Sequence, residues 1–124
     1  MRVVFVCIEN SNRSQMAEAY GRMAGLEAYS AGSRPSGIVN PKAIESMREV
    51  GYDLTAHRSK GLNDLRGEFD LVVTMGCGDE CPALTATRRE DWQIPDPKNL
   101  PPDEFRKVRD LIASKVRSLA ATRC

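Results

Sequence analysis

The sequence has no hydrophobic run long enough to span a bilayer. Its longest apolar stretch, Val3 to Ile8, falls far short of the ~20 residues a membrane helix needs. No secretory leader is expected either, because "MRVVFVCIENSNRS" turns polar too soon. Nor is there an excess of charge of one sign. Eighteen basic and 17 acidic residues leave a net charge of +1, which argues against a broad nucleic-acid face or an anionic-membrane surface. Any anion must therefore be held by a local arrangement. With one histidine and four cysteines, a four-ligand zinc site would have to draw on Cys77, Cys81, Cys124 and His57, or take Cys7, and no metal is expected. The expectation is a cytoplasmic protein whose thiols stay reduced, so the cysteines read as reactive groups rather than structural bridges. The 124 residues suit one domain, residues 1–124, with enough core to fold unaided.

What is present is an alternation of strands and helices. Val3 to Cys7 is wholly apolar and rich in β-branched residues, as expected of a strand buried on both faces of a parallel sheet. From Ser14 the period becomes helical, with Met16, Tyr20 and Met23 on one stripe and Gly25 as its stop. "EAYSAG" is a short second strand. "VNPKAIESMREVG" is a helix with Asn40 as cap, Pro41 in its first turn, Ile44, Met47 and Val50 on one face and Gly51 as terminator. Phe69 to Met75 is the second strong apolar strand. Residues 76–101 show little periodicity and read as functional loop with at most a short helix. A last helix from about Pro102 carries an apolar stripe of Phe105, Val108, Leu111, Ile112, Val116 and Leu119. This pattern predicts an α/β sandwich around a parallel sheet. In such folds ligands bind beyond the carboxyl ends of the strands, where both Cys7 and the loop after Thr74 lie.

The segment "CIENSNRS", residues 7–14, leaves the first strand and opens a helix. A thiol attacks only as thiolate, and the free N–H groups and dipole of a helix N-terminus favour negative charge there. The same N–H groups can cradle a tetrahedral oxyanion. Arg13 adds a planar fork for two of its oxygens. Ser14 places a hydroxyl to donate to the Cys7 sulfur, and Asn10 is a residue type that tolerates the left-handed conformation of a tight loop. Residues 7–13 (Cys7, Ile8, Glu9, Asn10, Ser11, Asn12 and Arg13) are thus the expected oxyanion-binding loop. Glu9 is its odd member, since a carboxylate repels an anion unless it points outward. Further along, "IPDPK" sets Asp96 between two prolines that stiffen its loop, which suits a general acid for a leaving oxygen.

"VCIENSNRSQMAEAY" resembles the oxyanion loop and first helix, Cys-x5-Arg-Ser, of the low-molecular-weight tyrosine phosphatase superfamily, and most of all the arsenate reductases built on that fold. "SAGSRPSGIVNPKAIESM", "VVTMGCGDECP" and "DWQIPDPK" are similar to arsenate reductase segments as well. The resemblance implies a three-layer α/β sandwich with a central parallel four-stranded sheet. It implies Cys7 as nucleophile, Arg13 as oxyanion ligand, Asp96 as acid, and Cys77 and Cys81 as relay thiols that reduce the adduct. Arsenate is then the substrate, no cofactor is bound, and an external thiol reductant completes the cycle: thioredoxin, or a small thiol such as glutathione or mycothiol. A monomer is expected. The competing reading is a phosphotyrosine phosphatase sharing Cys7, Arg13 and Asp96. It lacks support in "KNLPP", which holds no aromatic residue where a phosphotyrosine ring would rest. A redox sensor using the cysteine pair alone would not need Arg13. Among the other residues, His57 is expected to be exposed, Trp92 to pack the long loop on the body, Cys124 to fray, and Arg88 and Arg89 to be solvated.

Overall fold

A computed structural model describes residues 1–65, 67–76 and 86–122. In chain order these form β1 (Arg2–Cys7), α1 (Arg13–Met23), β2 (Glu27–Gly32), α2 (Pro41–Arg48), β3 (Phe69–Thr74), β4 (Ala86–Asp91) and α3 (Pro102–Thr122). Two short 3-10 turns, Leu54–Ala56 and Leu62–Asp64, lie between α2 and β3. The sheet is parallel throughout, in the order β2-β1-β3-β4.

The unbroken apolar character of β1 follows from its central position. Val3, Phe5 and Cys7 face the helices, while Val4 and Val6 face the opposite side with Phe69 and Val72 of β3. The helical face is filled by Met16, Ala17 and Tyr20 of α1, Ala43 and Met47 of α2, and Phe105, Ile112 and Val116 of α3. Ile8, Leu62 and Leu65 cover the other face. Asn40 caps α2 as expected, its Oδ1 accepting from the Lys42 N–H at 2.9 Å, with Pro41 as the first helical residue. Gly51 terminates the segment with φ +88°, a conformation costly for any side chain.

Three expectations are corrected. Residues 86–91 are not loop but the edge strand β4, paired in register with β3 from Phe69↔Ala86 to Thr74↔Asp91. Met23 and Leu111 stand outside the core at 52% and 40% exposure, because each lies at the margin of its helix's apolar stripe. Trp92 does pack inward, its ring 5.6 Å from that of Phe5. Arg88 and Arg89 are exposed.

The register brings the strand ends together. Cys7 lies opposite Gly32, Val6 opposite Thr74, and Thr74 opposite Asp91. Everything that follows β1, β3 and β4 therefore emerges on one edge of the sheet.

Candidate active site

The loop from Cys7 to Arg13 is a ring of outward-turned carbonyls. Cys7 O accepts from Ser33 N–H at 3.2 Å, Ile8 O from Arg34 N–H at 2.8 Å, and Glu9 O from both Ser36 N–H and the Ser59 hydroxyl at 3.0 Å. Asn10 O accepts from Gln15 Nε2 at 3.1 Å, Ser11 O from Asn40 N–H at 3.0 Å, and Asn12 O from Met16 N–H at 3.0 Å. In a planar trans peptide the N–H points opposite to the carbonyl it is bonded to. Six anchored carbonyls therefore turn the N–H groups of residues 8–13 away from the protein body. They face a cleft of about 70 Å³ lined by Cys7, Ile8, Glu9, Ser11, Asn12, Arg13, Asp96 and Lys98. Such a cradle, opening into the N-terminus of α1, is suited to a small tetrahedral oxyanion.

Asn10 is the hub of this loop. It adopts φ +52°, the left-handed conformation that Asn tolerates better than most residues. Its Oδ1 accepts from the Lys60 backbone N–H at 2.8 Å, an obligate donor, which fixes the amide orientation. Asn10 Nδ2 then donates to Ser14 Oγ at 2.7 Å. With its oxygen accepting there, Ser14 can direct its single proton to Cys7 Sγ, 2.9 Å away. Cys7, Asn10 and Ser14 are all buried.

Further bonds, from Gln15, fix Asn10. Gln15 Nε2 donates to Asn10 O, to Asn10 Oδ1 at 2.9 Å and to Arg58 O at 2.8 Å. Gln15 Oε1 must then accept, so His57 Nδ1, 2.9 Å from it, carries a proton. His57 Nε2 lies 2.8 Å from the Tyr52 hydroxyl. Both ring nitrogens are thus hydrogen-bonded, Nδ1 lies 3.8 Å from Glu18 Oε2, and the side chain is only 6% exposed, contrary to the expectation of a surface histidine. Burial lowers its pKa, the nearby Arg22 and Lys60 lower it further, and the Glu18 and Asp53 carboxylates oppose the shift.

Arg13, the first residue of α1, is buried and held before any ligand arrives. Its Nη1 donates to Met75 O at 2.6 Å and to Ile94 O at 3.0 Å, so the ends of β3 and of the segment after β4 aim its fork. Its Nη2 lies 4.0 Å from Asp96 Oδ2. Asp96 is half-exposed and accepts from the Lys98 N–H at 3.1 Å through Oδ1. Of the predicted residues, Cys7, Ile8, Glu9, Ser11, Asn12, Arg13 and Asp96 share one cleft, while Asn10 is buried and does not line it. Ser14 lies behind the loop, against Cys7. Cys77, Cys81 and Cys124 fall outside the described residues.

The family model for low molecular weight phosphotyrosine protein phosphatases matches residues 2–123. The chain belongs to this family. Within it, an arsenate reductase 2 of Staphylococcus haemolyticus is 43% identical over 124 residues, 94% of this chain and 93% of that protein. An arsenate reductase of Staphylococcus aureus is 44% identical, covering 89% of this chain and 88% of its own. A solved structure described as an arsenate reductase in the phosphate binding state superposes with a TM-score of 0.89 at 35% identity, covering 98% of this chain and 97% of that one. The low-molecular-weight phosphatase fold of this chain is thus a four-stranded parallel sheet with three helices.

Four residues in or around this cleft carry no clear signal in the sequence. Gln15 and His57 lie 42 positions apart, and Lys60 reaches Asn10 from 50 positions away. Lys98 pairs with Glu9 across 89 positions. Only the neighbourhood of Lys98, two residues after Asp96, could have drawn attention to it.

Proposed function

We propose that this chain is an arsenate reductase that uses Cys7 as nucleophile and a thiol relay to resolve the adduct. The observation that carries the reading is the cradle: carbonyls of residues 7–12 all anchored outward around a thiol that already has a hydroxyl directed at it. The Staphylococcus relatives named as arsenate reductases, similar over nearly their whole length, point to the same chemistry.

Arsenate enters with its oxygens on the N–H groups of residues 8–13 and on Arg13. The Cys7 thiolate attacks arsenic, and one oxygen leaves after taking a proton from Asp96, so a sulfur–arsenic bond replaces an arsenic–oxygen bond. A second thiolate then attacks the Cys7 sulfur. The sulfur–arsenic pair stays on arsenic, which departs as arsenite, while two thiols become one disulfide. Cys77 is assigned this attack, followed by Cys81 on Cys77, which frees Cys7 and leaves a disulfide for an external dithiol such as thioredoxin. Ser14 stabilises Cys7 as thiolate at the start and again as leaving group. The setting proposed is a reducing cytoplasm, with the chain acting as a monomer. No helix among the described residues is long and apolar enough to cross a membrane.

Phosphomonoester hydrolysis would draw on the same cleft without any second thiol. The test is to count free thiols by alkylation and intact mass after the fully reduced protein meets arsenate with no added thiol. Loss of two thiols, with the bridge mapped among Cys7, Cys77 and Cys81, is expected. Full retention of all four would remove the internal relay from the mechanism.

A further inference from the structure

Glu9 has no role in the chemistry above, yet it stands two residues from the nucleophile. Its carboxylate is not idle. Lys98 Nζ bonds both of its oxygens, at 3.1 and 3.3 Å, across the mouth of the cleft. The same lysine's backbone N–H holds Asp96 Oδ1 at 3.1 Å, and Asp96 faces Arg13 at 4.0 Å. Charges therefore alternate around the opening: Glu9, Lys98, Asp96, Arg13. We propose that Lys98, through its pairing with Glu9, is a positioning and specificity-determining residue that favours a free tetrahedral oxyanion over an aryl ester. The proposal deepens the arsenate reductase reading and rests on it.

Three observations support it. The pair lies at the rim, with side chains 51% and 41% exposed, and a surface pair of that kind contributes little to folding, so stability does not explain it. It joins two segments of the site: the oxyanion loop through Glu9, and the acid-bearing loop through Lys98. Unpaired, the Glu9 carboxylate would repel an incoming anion; paired, it is cancelled. A free oxyanion can turn all of its oxygens to the cradle, whereas an ester's organic group must leave through the mouth, past Glu9 and Lys98. There it would displace water from two charged side chains and find no ring to stack on, since residues 97–104 hold no aromatic.

The test compares wild type with Glu9→Gln, Lys98→Met and the double variant. It measures kcat and KM for arsenate with a thiol reductant, kcat/KM for p-nitrophenyl phosphate, and the inhibition constant of inorganic phosphate. Lys98→Met should raise the arsenate KM and the phosphate inhibition constant about five-fold, because it bares Glu9. The double variant should bring both back to within about two-fold of wild type, while raising the ratio of aryl phosphate to arsenate kcat/KM about five-fold. Melting temperatures should stay level across the set. Simple addition of the two single effects, or an unchanged substrate ratio in the double variant, would overturn the proposal. If wild type reduced no arsenate with any thiol, the reductase reading would fall. The mouth would then be judged on inorganic phosphate alone: loss in Lys98→Met with recovery in the double variant supports it, and equal inhibition in all four proteins refutes it.

Discussion

Gly32, the last residue of β2, should be the most function-sensitive glycine among the described residues although it does not line the cleft. A Cβ built there would lie 2.5 Å from Ile8 O and 2.9 Å from Asn10 N. Both are backbone atoms of the oxyanion loop, so no side chain can swing aside. Reaching ordinary contact at 3.4 Å requires the loop or the strand end to move by about 0.9 Å. The strand end is pinned, because Gly32 pairs with Cys7 and its N–H donates to Lys60 O at 2.9 Å. The loop therefore yields, and with it the N–H groups proposed to hold the anion. A misplacement of about 1 Å costs on the order of 10²-fold in rate. Overpacking should cost about 1–3 kcal/mol, a fall in Tm of roughly 4–12 °C for a chain of this size. The assay is kcat/KM for arsenate beside thermal unfolding for Gly32→Ala. Gly25→Ala is the control, since Gly25 has φ +85° with nothing within 4 Å of the added Cβ, so it carries backbone strain without a clash. The control should lose stability and keep activity. A Gly32→Ala protein within three-fold of wild-type kcat/KM would refute the reasoning that the outward anchoring of the loop sets the site.

Ser14→Ala should lower arsenate kcat by about 10–100-fold and destabilise the protein by about 1–3 kcal/mol, since Asn10 Nδ2 is left buried without an acceptor; steady-state kinetics with urea unfolding check both. Glu49 is held at a pKa of about 2, chiefly by hydrogen bonding to Arg106 and then to Arg109, with burial opposing. A depressed carboxylate adds stability above its unfolded pKa near 4.5 and loses it as pH falls toward 2, so Glu49→Gln should flatten that part of an acid-unfolding curve while leaving pH 7 activity intact. His57 follows the same sign for another reason: burial depresses it below 6.5, so it stabilises as the neutral ring above pH 6.5 and loses that contribution as pH falls through its folded value. Urea unfolding at pH 7.5 and 5.5 should show a smaller loss for His57→Gln than for wild type, and equal losses would count against a neutral buried ring.

How legible each part was in the sequence depended on how local its determinants are. The strand β1 and most of β3 announce themselves because both faces are buried, and α2 because its cap and its first-turn proline are adjacent residues. The edge strand β4, "ATRRED", was invisible for the converse reason. It pairs on one side only and its residues are largely exposed, so no apolar alternation marks it. In the site, Cys7, Asn10, Arg13 and Ser14 act within one loop and their spacing is itself the signal. His57 misled because its sequence neighbours are polar while its partners, Tyr52 and Gln15, surround it only after folding. Glu9 looked like a misplaced charge for the same reason, its counter-ion arriving from β4's far side of the sequence.

These long-range partners explain how a chain of net charge +1 could hold the proposed anion. No overall field concentrates the substrate. Arg13, the nearest cation, already has one nitrogen on two carbonyls and another facing Asp96, so its charge alone is a modest attractor. What remains is orientation. Every bond that anchors a loop carbonyl, from Ser33, Arg34, Ser36, Asn40, Met16, Ser59 or Gln15, also aims an N–H on the other side of the same peptide. Those dipoles are aligned during folding, and no reorganisation is left to oppose binding or the charge that develops as sulfur attacks. On the proposed mechanism the cleft draws part of its power from groups that do not touch the anion, which is why Gly32, the Asn10 side chain and Gln15 should matter as much to turnover as residues lining the cleft.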